Sequence, residues 1–206
     1  MTGFEFAFAL FSLLLGLSIA EILGGFAGMM KLHARERAGI ATGVHTGLLV
    51  PLLAALVLLN QLSFWMTAYS VREALPFTYL TLFGTLVVVG GYYLFAVLVF
   101  PDDVELWPDF DDYYDQHNRF ILGGMFVLNI AGAVVGGLYR NPRLTAAQQA
   151  VRDSALGDFM ALAVFGGLIL LLVLIFAKGR RLNAVLLALL IAMNLGGSVL
   201  VVAAGL

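Results

Sequence analysis

The stretch that decides the fold runs from Phe4 to Met30 and reads FEFAFALFSLLLGLSIAEILGGFAGMM. Apart from Glu5 and Glu21 it is a run of apolar and small residues. It exceeds the roughly 20 residues needed to cross a hydrocarbon core. Similar stretches follow, so the expected spanning segments are 4–30, 41–68, 77–100, 120–139, 158–177 and 183–205. They take up most of the 206 residues, of which 62% are hydrophobic and 12% charged. A soluble domain would carry about 25% charged residues. The expected fold is therefore all-α: one six-helix transmembrane bundle over residues 1–206, with short loops and no soluble domain.

Charge orients the bundle. No Lys or Arg precedes the first segment, and KLHARER follows it at once. Basic residues collect on the cytoplasmic side of bacterial membrane proteins. With both termini outside, Lys31, Arg35, Arg37, Arg119, Lys178, Arg180 and Arg181 face the cytoplasm, and Arg72, Arg140, Arg143 and Arg152 face out. The first segment is also too long for a cleaved signal sequence. Segments 1–3 and 4–6 then run in opposite senses, as an inverted repeat would, but the two halves share no convincing identity.

Glu21 is the sharpest residue. A carboxylate deep in a membrane segment is costly and marks a functional site by default. Glu5 does not share its site, since the two lie about 160° apart around the helix and about 24 Å apart along it. Glu21 falls on a face with Ser18, Gly25 and Gly28, small residues that admit a neighbouring helix. Asn60 of segment 2 and Asn129 of segment 4 are its expected neighbours. His45, Asn60, Ser63 and Thr67 form a polar stripe on segment 2, with Gln61 and Trp65 on another face. Pro51 lies inside that segment and is expected to kink it. Glu21, His45, Asn60 and Asn129 are thus the candidate proton- or cation-binding residues. Gly25, Gly28 and the GxxxG pair Gly132 and Gly136 are the candidate helix-association residues.

The third loop, PDDVELWPDFDDYYDQHNR, has a character of its own and carries seven of the thirteen acidic residues. Phe110, Tyr113, Tyr114 and His117 recur at helical spacing with acids between them, which predicts a short interfacial amphipathic helix feeding segment 4. Asp109, Asp111, Asp112 and Tyr113 are candidates for docking a partner. His117 with Asp112 or Asp115 is a weaker metal set. His45 and His117 are a weaker pair of haem ligands, since haem needs facing imidazoles and interfacial histidines are commoner. Between segments 4 and 5, Thr145 and Gln148 match a capping box.

There is no cysteine, which excludes thiolate metal sites, disulfides and thiol catalysis. Phosphate-loop and nucleophile-elbow motifs are missing, so nothing in the sequence points to an enzyme. No cofactor is implied beyond the surrounding lipid, and no nucleic-acid partner.

The opening FAFALFSLLLGLSIAEILGGFAGMMKLHARER, with a second helix ending LLNQLSFWMTAY, resembles a group of uncharacterised bacterial membrane proteins of about 200 residues. The resemblance covers the first third of the chain and implies a bacterial inner-membrane location. It carries no activity.

Three functions follow as expectations. The first is a small proton- or cation-linked channel or transporter subunit, homo-oligomeric or part of a membrane complex, using Glu21. The second is an accessory or sensor subunit docking a partner through loop 101–118. The third is a haem- or quinone-associated redox protein.

Overall fold

The computed structural model describes residues 3–40, 42–71, 76, 78–104, 106–138 and 155–203. They form six helices: α1 (Gly3–Arg37), α2 (Leu49–Ser70), α3 (Tyr79–Val99), α4 (Phe110–Leu138), α5 (Ala155–Phe176) and α6 (Arg180–Ala203). Among the described residues there is no strand, only one isolated parallel bridge between His45 and Asp109. Five helices are long and apolar enough to cross a membrane, and Val164–Phe176 within α5 is a shorter apolar helix. The chain is a multi-pass membrane protein with the expected all-α six-helix architecture.

α2, α4, α5 and α6 close into a four-helix ring in that order, and α6 returns to α2. α4 and α6 therefore face each other across its diagonal. α1 and α3 pack together and lean on the α2–α4 side of this ring. The Ser18 hydroxyl meets the Tyr92 carbonyl, and the Phe26 ring meets Phe100 edge-on. The constant offset between these two contacts makes α1 and α3 parallel and sets their register. Ile22, Ala54, Val57, Leu122, Met125 and Leu187 seal the centre, while Leu13, Leu17, Met66, Phe83, Val127 and Phe165 coat the outside. An apolar coat is what a hydrocarbon solvent requires. Within the helices two glycines permit the closest approaches. A Cβ at Gly25 would enter the Phe100 ring, and one at Gly124 would enter the Phe95 ring.

The boundaries differ from expectation in informative ways. α1 runs on to Arg37 because nothing in Lys31–Arg37 breaks a helix before Gly39, whose φ is +80°. α2 starts at Leu49, not at 41. Residues 42–48 are non-helical and irregular, and they are held beside 108–110 by His45, whose N–H donates to the Pro108 carbonyl at 2.6 Å and whose carbonyl accepts the Phe110 N–H at 2.9 Å. Pro51 thus falls in the first turn, where its missing N–H costs nothing, and it does not kink the span. The amphipathic stretch from Phe110 is helical as expected, but it is continuous with the spanning helix. No Gly or Pro interrupts 110–122, and Phe110, Tyr113 and Tyr114 are buried against the bundle. The capping box at Thr145 lies outside the described residues.

Candidate functional site

Polar chemistry concentrates in three places: one end of the bundle, its middle, and its outer surface at Glu21.

At the end where α1 and α3 finish, Arg180 ties the start of α6 to the loop before α4 and to the first turns of α4. It is the first residue of α6 and follows Gly179, whose φ is +104°. Its Nη1 donates to Asp109 Oδ2 at 2.9 Å and its Nε to Asp115 Oδ2 at 3.4 Å, while its Nη2 pairs with Asp112. Asp109 Oδ1 accepts the Asp111 N–H at 2.9 Å and lies 3.4 Å from His45 Nδ1. Partial burial pushes the Asp109 carboxyl up, but the Asp111 N–H, Arg180 and His45 outweigh it and hold the group below its ordinary value. Asp111 Oδ1 accepts the Leu49 N–H at 3.2 Å and so caps α2, because the residue at the cap position, Leu48, has no side chain able to do so. Gly47 makes room for that cap. Its φ is +53°, and a Cβ there would overlap the Asp111 carboxylate. His33 Nδ1 faces the Met29 carbonyl at 3.0 Å, so that nitrogen carries the proton, and Nε2 accepts from the Thr46 hydroxyl at 3.1 Å.

In the middle of the bundle two hydrogen-bonded groups join helices. Gln61 Nε2 donates to Ser18 Oγ at 2.5 Å, and that hydroxyl donates to the Tyr92 carbonyl at 3.1 Å, linking α2, α1 and α3. Asn129 Nδ2 donates to Asn60 Oδ1 at 2.6 Å and to the Met125 carbonyl at 2.8 Å, linking α4 to α2. The Tyr92 hydroxyl reaches the Asn60 carbonyl at 3.4 Å.

Glu21 belongs to neither group. Ser18 and Ile22 point inward, while Glu21 is exposed on the outer surface of α1 and bonds to no described residue. Around it Gly16, Ala20, Gly24 and Gly28 form an exposed small-residue stripe. A Cβ added at Gly16, Gly24 or Gly28 would meet nothing within 4 Å.

The four candidate ion-binding residues are therefore not brought together. Asn60 and Asn129 pair with each other, not with Glu21, and His45 lies in the loop at the bundle's end. The stripe on α2 also divides. Ser63 and Thr67 bond back to the carbonyls of Leu59 and Ser63, whereas Gln61, expected on another face, is the buried partner of Ser18. Of the association glycines, Gly25 and Gly136 meet Phe100 and the Thr67 methyl within the chain, while Gly28 and Gly132 are open. The docking candidates are engaged internally: Asp109 and Asp112 by Arg180, Asp111 by α2, and Tyr113 by the Leu98 carbonyl, to which it donates at 2.8 Å. His117 bonds to the Tyr113 carbonyl through Nδ1 and stacks on the Tyr113 ring. The metal-compatible trio the structure gathers is His45, Asp109 and Asp111, with ligand atoms within 4.8 Å of one another. Arg180 and two backbone N–H groups already satisfy its carboxylates. Neither the Ser18–Gln61 pair nor the Arg180 clamp is apparent from helical periodicity. An Arg directly after a helix-breaking Gly, opposite an acidic loop, was the available signal.

No protein-family model matches the chain, and no curated protein and no solved structure is detectably similar to it.

Proposed function

We propose that this chain is one subunit of a homo-oligomeric assembly that handles protons or small cations. In this reading Glu21 is the binding carboxylate at the boundary between copies. The assembly sits in a bacterial inner membrane with both termini periplasmic. The observation that carries the reading is Glu21 itself, a membrane-depth carboxylate turned outward with no partner among the described residues. An ionised carboxylate facing lipid costs about 2.5–3.5 kcal/mol on insertion scales. A neighbouring subunit that covers the carboxyl and offers it a hydrogen bond offsets that cost.

A second copy offers a matching surface. α3 and α4 flank an apolar groove floored by Gly90, Gly91 and Gly124, with Tyr93 on its wall. Copies in one membrane meet at equal depth. From the register of α1 on α3, Tyr93 lies within about 3 Å of the depth of Glu21. The stripe of Gly16, Ala20 and Gly24 would seat α1 of one copy close to that glycine floor. The Tyr93 hydroxyl, which has no partner among the described residues, would then meet Glu21. Such a head-to-tail contact, repeated with a rotation that closes, builds a ring. Asn60 and Asn129 hold helices together in this reading, and His45 belongs to the clamp.

Flux into proteoliposomes under an imposed pH gradient tests the function. Glu21→Gln is expected to abolish a pH-dependent flux that Glu21→Asp partly retains. Equal flux in wild type and Glu21→Gln would remove Glu21 from the mechanism.

A further inference from the structure

We infer that the four-helix half of the bundle holds an internal water site, lined by Tyr114, Asn118 and Asn183 directly beneath the Arg180 clamp. It uses different helices from the Glu21 boundary and does not rest on that reading.

These three side chains are 1%, 7% and 1% exposed. Asn118 Oδ1 and Asn183 Oδ1 are buried and have no hydrogen-bond partner among the described residues, and the Tyr114 hydroxyl, also buried, lies beside the Asn118 side chain without a well-formed hydrogen bond. Their placement is not scattered. Arg180 Nε reaches Asp115 Oδ2, and Asn183 and Asn118 each follow one member of that pair by three residues. Both helices start at this end and run parallel, so both asparagines lie about 4.5 Å deeper than the ion pair. Tyr114 precedes Asn118 by one turn on the buried face of α4. Three oxygens are thus collected at one end of the ring, on the two helices that form its diagonal.

Each buried oxygen left unsatisfied costs about 1–3 kcal/mol. At this burial bulk water does not reach the three oxygens, so something inside must answer them. Buried water typically makes about three hydrogen bonds to polar groups of this kind. The chemistry selects water over a cation. The oxygens are neutral, and the Arg180 guanidinium one turn above repels positive charge. A water donates to either amide oxygen, and it can donate to the Tyr114 hydroxyl or accept from it.

The spacing below the site bounds it. Asn129 follows Asn118 by eleven residues and Asn194 follows Asn183 by eleven, so each parallel helix repeats an asparagine on one face about 16 Å deeper. Between these two levels lie Leu122, Met125, Leu187 and Leu190, all at most 3% exposed. The upper level is wet and the leucine–methionine layer is its dry floor.

Hydroxyl-radical footprinting of the wild-type protein in lipid nanodiscs tests this without any substitution, because bound water delivers the radical to its neighbours. Tyr114 is expected to be modified several-fold faster than Tyr92, which is equally buried but bonded to protein. Met125 should stay intact despite the greater reactivity of a thioether. Protection of Tyr114 equal to that of Tyr92 would overturn the inference. In Asn183→Leu, which removes one oxygen and fills its space, Tyr114 modification should fall. Unchanged modification there would equally overturn it.

Discussion

Replacing Gly47 with alanine probes how one loop glycine sets the start of α2. Its φ of +53° is the left-handed region, which costs a residue with a Cβ about 1–2 kcal/mol. The new Cβ also falls on the Asp111 carboxylate, so Asp111 must move and the Leu49 N–H loses its acceptor. Loss of a helix cap costs about 1 kcal/mol. Gly47→Ala should therefore destabilise the protein by about 2–3 kcal/mol. Asp111→Ala removes the cap alone and should cost about 1 kcal/mol. In the double variant the cap is already gone and the overlap is relieved, so alanine at 47 adds only the backbone term. The total should again be about 2–3 kcal/mol, a coupling of about −1 kcal/mol relative to additivity. Denaturant unfolding in detergent micelles, followed by circular dichroism, reads all four corners of the cycle. Strict additivity would refute the reasoning, since it would mean that Gly47 and Asp111 do not act through one shared contact.

Arg180→Gln should cost about 1–2 kcal/mol near neutral pH, because its three pairs are partly exposed and each is worth at most about 1 kcal/mol. Asp109 has its carboxyl lowered from 3.8 in the fold, so its contribution is present above that value and disappears as the pH falls through the folded one. The difference between Arg180→Gln and wild type should therefore hold steady above about pH 5 and shrink below 4 in acid unfolding curves; a difference independent of pH would exclude the clamp. Gly124→Ala drives a methyl into the Phe95 ring and should cost about 1–3 kcal/mol, and the additional change Phe95→Leu should recover part of it in thermal unfolding.

The fold was legible because hydrocarbon imposes a simple rule. Residues 4–30 and most of the other apolar runs fold as helices long and apolar enough to cross it, while 158–177 shows the shorter apolar helix Val164–Phe176 among the described residues. Their ends were less legible, because loop pairings set them. Only the pairing of His45 with Asp109, 64 residues away, shows that 42–48 is not helical and that α2 begins at Leu49. The site was half legible. Periodicity gives the angle between Ser18 and Glu21, but it does not say where the packing boundary falls between them. That boundary turns Ser18 inward to Gln61 and Glu21 outward. Arg180 and Asp109 are 71 residues apart, and charge patterning alone could not pair them.

The contact that would place Glu21 between copies can be read directly, because the chain has no cysteine of its own. A protein carrying both Ala20→Cys and Gly91→Cys, oxidised in native membranes, should yield a ladder of disulfide-linked dimers, trimers and higher forms, and neither single variant should yield that ladder. A product that stays monomeric, or a dimer formed by Ala20→Cys alone, would contradict a head-to-tail ring with Glu21 at its boundary.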